Sequence, residues 1–288
     1  MEISPRYEGP AVIDITAVAG DPSAAVIRQR DRLATELSDL SPAQWTTPSR
    51  CVGWTVQDVA EHLASVNRFW TASVGAGVQG EPTRFLASFD PVTVPAALVE
   101  GARGAPPEAT LDELTATSAE LATLLRSLSA DDWAKAAEAP PGHITIAAVG
   151  AHALWDAWIH ERDVLLPLGR EQQIEPDELS IALPYAAALG PAFHLIAGRT
   201  ATGSLTVQAH RPEVSFTVDV ADQVRVRPGT AAAAVTTADA AARAEGPVFE
   251  GEAVDLLEGF SVRGPLPPVG DDHRWLVDGL SRAFGSAG

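Results

Sequence analysis

Over the first two-thirds of the chain apolar residues return every three to four positions, the period of an amphipathic helix. Pro22 to Asp39 carries Ala25, Ile27, Leu33 and Leu37 with Arg and Asp between them. Ser41-Pro42-Ala43-Gln44 is a capping-box pattern, but Thr46, Thr47 and Pro48 follow so soon that it opens only a short turn. Thr55 caps a longer helix, with Asp58 three residues on against the helix dipole, and Val59, His62, Val66 and Phe69 along one face to about Ser73. Gly75 to Pro95 reads as a long Gly- and Pro-rich connection of the kind that rims a site. Thr110-Leu111-Asp112-Glu113 predicts a helix start running to about Leu128, and Ser129 to Trp133 repeats the short capped turn. After a break at Ala139–Gly142, Thr145 caps a fourth long helix to about Leu168. Pro176 to Gly198 is helical in pattern, with Pro184 and Pro191 expected to kink or break it.

After Gly203 the period falls to two. Ser204–Gln208, Val214–Val218 and Val224–Arg227 alternate and predict three short antiparallel strands. Helices are expected at Thr237–Glu245, Gly251–Phe260 and His273–Phe284. The fold class is therefore α+β in two domains, a helical bundle over residues 1–200 and a small α+β domain with an antiparallel sheet over 201–288.

A length of 288 residues suits two cores, and 46% apolar with 20% charged residues argues against disorder. The net charge of −18 makes nucleic acid and anionic membranes poor partners, so a small molecule is expected. Positive charge is almost all Arg, with Lys135 the only lysine. Cys51 is the only cysteine, which excludes an internal disulfide and Cys-rich zinc modules. The first residues lack a signal peptide's basic patch and apolar run, and no uninterrupted apolar stretch is long enough to span a bilayer, so a soluble cytoplasmic protein is expected.

Asp156 and His160 lie four apart on the fourth helix, about 40° apart on one face. That spacing suits two ligands of one metal, and equally a hydrogen-bonded pair that fixes an imidazole between helices. A His from a facing helix would complete a two-His, one-carboxylate set with an open position. His62 could supply it, though alone it reads as a core or boundary histidine. His152, one turn back on the same face, is an alternative ligand, and Asp163 reads as an orienting or capping residue. Trp54, Trp155 and Trp158 are core aromatics in the simplest reading, or else a wall over a ligand. No base is tied to Cys51 by spacing. Nucleophilic-serine, Walker and dinucleotide fingerprints are missing from the sequence.

Cys51-Val52-Gly53-Trp54-Thr55-Val56-Gln57-Asp58-Val59-Ala60-Glu61-His62 resembles the N-terminal signature of the mycothiol-dependent maleylpyruvate isomerase family. Asp156 through Trp158-Ile159-His160-Glu161-Arg162-Asp163 is similar to that family's second signature, and Phe249-Glu250-Gly251-Glu252 through Arg263 to its closing motif. The resemblance implies a DinB-like four-helix bundle followed by a domain similar to sterol carrier proteins. It also implies a divalent metal, usually zinc, held by His62, Asp156 and His160, and a low-molecular-weight thiol, mycothiol, as cofactor. The acidic position is Glu in the family pattern and Asp156 here, one methylene shorter.

Zinc with an open position holds a thiol as thiolate at neutral pH, so isomerisation or S-transfer on a small electrophile is the expected chemistry. An anionic intermediate would need Arg, and the candidates are Arg263 and Arg68. Trp54 and Trp158 are the candidate cofactor contacts. Two other readings stand beside this one: the same scaffold recruited to a thiol-independent cyclisation, elimination or hydrolysis, and a non-catalytic small-molecule binding or resistance protein.

Overall fold

The architecture is taken from a computed structural model that describes residues 4–16, 20–88, 90–229 and 246–284. Four long helices form the bundle: α1 (Ser23–Ser38), α3 (Val56–Val78), α5 (Pro107–Ser127) and α6 (Ile146–Leu165), with the short turn α2 (Pro42–Trp45) between the first two. α3 and α1 each pack on both α5 and α6, which closes the ring. The caps fall where hydroxyls and acids place them. Thr55 accepts from the Asp58 amide while the Asp58 carboxylate accepts from the Thr55 amide, and Thr145 accepts from the Ala148 amide.

The connection expected over Gly75–Pro95 is shorter than it reads. α3 runs on to Val78, and a further helix, α4 (Thr93–Ala102), follows. Gly77 permits this extension, because a Cβ there would run into the Ala136 carbonyl. The segment between is tied down by Glu138, which is fully buried. Its carboxylate accepts from the Phe85 and Leu86 amides at 2.8 Å, from the Thr83 hydroxyl at 2.6 Å and from the Tyr7 hydroxyl at 2.7 Å. α5 starts at Pro107 rather than Thr110, whose hydroxyl instead donates to Glu61 from a buried position. The break at Ala139–Gly142 is a hairpin turn between β2 (Ala136–Ala139) and β3 (Gly142–Thr145).

α7 (Pro176–Ile196) is continuous despite Pro184 and Pro191. Packing against α6, the sheet and the C-terminal helices outweighs the two missing backbone donors. It is long and apolar enough to cross a membrane, but 89% of that stretch is buried within the fold, as in a core helix.

The second layer is a five-stranded sheet ordered β1-β6-β5-β4-β7. β4 (Gly203–His210), β5 (Val214–Val220) and β6 (Val224–Pro228) form the antiparallel meander that the alternation predicts. The sheet is nevertheless mixed. β7 (Val248–Glu252) runs parallel to β4, and β1 (Ile13–Asp14), from the far end of the chain, runs parallel to β6. Leu205, Val207, Phe216, Val218, Val224 and Val226 are buried on its inner face, against α7 and α8 (Ala253–Phe260). The expected C-terminal helix is split into a 3-10 turn (Asp271–Leu276) and α9 (Gly279–Phe284). The helix expected at Thr237–Glu245 lies outside the described residues.

The bundle's layers are locked by buried charge. Arg32 on α1 binds Glu161 of α6 at 2.7 Å and Glu178 of α7 at 2.8 Å, and both carboxylates are fully buried. Arg28 adds a second cation to Glu178 at 3.1 Å, and the amides of Gln29 and Gln172 donate to Glu161.

Candidate metal centre

α3 and α6 bring His62, Asp156 and His160 together. One ligand atom from each lies within 4.8 Å of the others. His62 Nε2 is 3.9 Å from Asp156 Oδ2, and His160 Nε2 is 3.6 Å from Asp156 Oδ1. The two imidazoles meet edge to face, with centroids 4.9 Å apart. Burial alone would raise the Asp156 carboxyl, but the His62 and His160 imidazoles beside it hold it well below the usual range. Its Oδ2 is buried with no hydrogen-bond partner, an acceptor left open as a ligand position is. Two imidazole nitrogens and a carboxylate fit a divalent metal with a free coordination position, even with the shorter acidic arm.

His160 is held from behind. Its Nδ1 lies 3.1 Å from Asp163 Oδ2 and 3.5 Å from Cys51 Sγ. Asp163 is fully buried, and the Cys51 thiol donates to its Oδ2 at 3.2 Å. Arg263 reaches the same carboxylate with Nε at 3.0 Å from Oδ1 and Nη2 at 3.1 Å from Oδ2. Burial would lower the His160 pKa, yet Cys51, Asp163 and Asp156 around it raise it well above the ordinary histidine value. Burial would likewise raise the Asp163 carboxyl, but His160 and Arg263 hold it far below the usual range.

A loop and the helix α8 deliver this backing. Residues 47–56 fold back on themselves: the Val56 amide donates to the Thr47 carbonyl, the Ser49 amide to the Trp54 carbonyl, and Gly53 takes a φ of 80° to close the turn. The Arg50 amide then donates to the Asp163 carbonyl at 3.0 Å, setting Cys51 beside His160. From the second layer, the Glu258 carboxylate of α8 is gripped by Arg50 at 2.5 Å and Arg162 at 2.8 Å. Arg50 also donates to the Arg263 carbonyl at 3.0 Å, which fixes where that side chain starts.

The other sequence candidates fall in different places. Arg263 is at the site, on the Nδ1 side of His160, with its guanidinium committed to Asp163. Arg68 is not brought there; it is half exposed and paired with Glu113 of α5. Trp54 lies beside the site, its ring 5.2 Å from that of His62. Trp158 is fully buried, with the Arg162 guanidinium 5.4 Å from its ring, so it can form no open wall over a ligand. His152 is outside the triad: its Nδ1 is 2.6 Å from the Tyr185 hydroxyl, between the Trp70 and Trp155 rings. Cys51 is the residue that spacing does not reveal, because it meets His160 and Asp163 only through the fold. Its place immediately before the Gly53-Trp54 turn was the available signal.

Residues 26–165 match the family model described as the mycothiol maleylpyruvate isomerase N-terminal domain. In fold the chain is similar to the crystal structure of the mycothiol-dependent maleylpyruvate isomerase, with a TM-score of 0.57, 15% identity, and coverage of 84% of this chain and 88% of that one. A histidine-to-alanine mutant of that enzyme matches to the same extent. No curated protein matches. Residues 26–165, just under half of this two-domain α+β chain, are thus similar to the mycothiol maleylpyruvate isomerase N-terminal domain.

Proposed function

We propose that this chain is a metal-dependent enzyme that works with a low-molecular-weight thiol of the mycothiol kind to isomerise, or transfer sulfur to, a small electrophile. The observation that carries the reading is the triad of His62, Asp156 and His160, with the open acceptor on Asp156. His62, Asp156 and His160 would hold the metal, zinc being the ion that best suits the donor set. When bound, it supplies a Lewis acid that keeps a thiol in its reactive thiolate form at neutral pH.

The chain's own residues do the rest. Asp163 accepts the Nδ1–H of His160, which fixes the tautomer and leaves Nε2 as the basic atom facing Asp156. Arg263 balances the Asp163 charge and keeps that carboxylate ionised. The Cys51 thiol adds a third contact to Asp163, on the side of His160 away from Asp156, so it positions the imidazole rather than attacking a substrate. The nucleophilic thiol is therefore external. Trp54 covers His62, and the same turn rims a cavity of about 440 Å³ whose lining includes Gly53, Thr55, Asp58, Glu61 and Arg103. The net charge of −18 supports a small-molecule substrate over nucleic acid.

The test is turnover of electrophilic substrates, scored with and without added thiol on protein of known metal content. Rates that rise in proportion to thiol are expected. Turnover unchanged in thorough absence of thiol would assign the scaffold to a thiol-independent reaction.

A further inference from the structure

Behind His160, on the side away from the triad, a second set of donor atoms closes on itself. Cys51 Sγ lies 3.5 Å from His160 Nδ1 and 3.2 Å from Asp163 Oδ2, and that oxygen is 3.1 Å from the same nitrogen. A tetrahedral ion with the bond lengths zinc makes to sulfur, nitrogen and oxygen spaces its donors about 3.3–3.6 Å apart, so these three atoms have little to move. Hydrogen bonds alone would give similar distances. What marks this cluster out is the cation it already attracts: Arg263 Nη2 is 3.1 Å from Asp163 Oδ2 and 3.6 Å from Cys51 Sγ.

That cation is replaceable. The Arg263 side chain is one-fifth exposed while Asp163 is fully buried, so the guanidinium can withdraw toward water and leave the carboxylate in place. Arg50 Nε, 3.7 Å from Asp163 Oδ1, remains to balance part of the charge. An ion also has a way in. Cys51 is partly exposed, and its neighbour Val52, at the tip of the 47–56 turn, is 74% exposed. Thiol, imidazole and carboxylate together select a thiophilic divalent ion such as zinc, cobalt or cadmium over magnesium or calcium.

We propose that Cys51, Asp163 and His160 Nδ1 form a second metal site, back to back with the triad, which takes a thiophilic divalent ion in place of the Arg263 guanidinium. The ion displaces one proton from the Cys51 sulfur and one from His160 Nδ1, both to solvent, and the imidazole then bridges the two ions. Loss of those protons and of the Arg263 ion pair makes this site the weaker one, filled only in excess metal and emptied by dialysis against metal-free buffer. Filling it takes Asp163 away from its place behind His160, so excess metal inhibits. That effect on turnover rests on the metal reading of the triad; the second donor set does not.

Metal-free full-length protein is titrated with cobalt(II) in thiol-free buffer, with bound metal counted by equilibrium dialysis and the absorption spectrum recorded at each step. The first equivalent is expected to give only the visible bands of an ion bound by nitrogen and oxygen. The second should add a near-ultraviolet thiolate-to-cobalt charge-transfer band, which can come only from Cys51, the one cysteine of the chain. Cys51→Ser should lose that band and weaken the second ion by about 100-fold, while keeping the first. Arg263→Met, which removes the competing positive charge, should strengthen the second ion by at least about tenfold. No thiolate band in the folded wild type at millimolar cobalt, or an unchanged second affinity in either folded variant, would overturn the site. If Arg263→Met does not fold, Cys51→Ser alone decides. His62→Ala reads the triad separately: it should lose the thiolate-free equivalent and keep the band. A wild type with the band but no thiolate-free equivalent would sink the triad and leave this site standing; the reverse pattern would sink this site alone.

Discussion

Asp163 is where the account is most exposed, because it contributes no ligand yet is asked to hold one. Its carboxylate accepts from His160 Nδ1, from the Cys51 thiol and twice from Arg263, all between 3.0 and 3.2 Å, and is shut off from solvent. Asp163→Asn keeps the shape and one acceptor oxygen but removes the charge. Asp163→Ala removes the acceptor as well. Losing an outer partner of a metal-bound imidazole costs about 10- to 100-fold in metal affinity. The Asn variant is expected near the lower figure, because its Oδ1 can still take the Nδ1–H, and the Ala variant near the upper. Folding stability should fall too, since Arg263 loses its counter-ion. Breaking a buried pair costs about 3–5 kcal/mol, and with Arg263 one-fifth exposed the lower end applies. The assay is competition for zinc against a chromophoric chelator, with urea unfolding in parallel so that affinity is compared only between folded samples. Zinc affinity unchanged in a folded Asp163→Ala protein would refute the argument that this carboxylate positions His160.

Other outcomes follow from the same structure. Arg32→Met strips both Glu161 and Glu178 of their shared cation, with Arg28 left to only one of them, and should cost about 3–5 kcal/mol in urea unfolding. Burial lowers the His152 pKa to about 4, so its neutral form stabilises the fold above the ordinary histidine pKa and that stability is lost as pH falls toward 4. Between pH 7 and 4.5 the metal-free protein should lose about 2 kcal/mol that His152→Gln does not lose, and parallel pH profiles for the two would contradict this. Gly77→Ala places a methyl against the Ala136 carbonyl and should destabilise by about 1–3 kcal/mol, whereas Gly75→Ala, in the same helix with open space around it, should stabilise by up to about 1 kcal/mol. Equal melting temperatures for these two variants would mean that α3 does not meet the β2–β3 hairpin as described.

What the sequence revealed was local. The Thr55–Asp58 box, the Thr145 cap and the Asp156–His160 spacing each depend on neighbours within one or two turns, and each was readable before the fold was seen. α4 escaped because Val94 and Leu98 stay exposed and only Val99 of that helix is buried, so no apolar stripe marks it. The prolines of α7 pointed to a kink because helix-breaking is a backbone effect, and what outweighs it is packing against α6, the sheet and the C-terminal helices. β1 and β7 are short strands whose partners lie far along the chain, and no alternation within them marks a sheet edge. The same limit hid part of the backing of His160. Asp163, three residues on in the same helix, reads as an orienting residue, but Cys51 and Arg263 lie 112 and 100 residues from it and reach it only through the 47–56 loop and the docking of α8 by Glu258. Arg68 erred the other way, close to His62 in sequence but turned toward Glu113 at the surface.

The central claim is that His62, Asp156 and His160 are the metal ligands, and metal stoichiometry in purified variants tests it most directly. Protein purified with zinc supplied, and then dialysed, is analysed for bound metal beside folded His160→Ala and His152→Ala variants. One equivalent is expected in the wild type and in His152→Ala, with none retained by His160→Ala. A wild type that retains no zinc, nickel or iron, or a His152→Ala variant that loses metal while His160→Ala keeps it, would contradict the assignment.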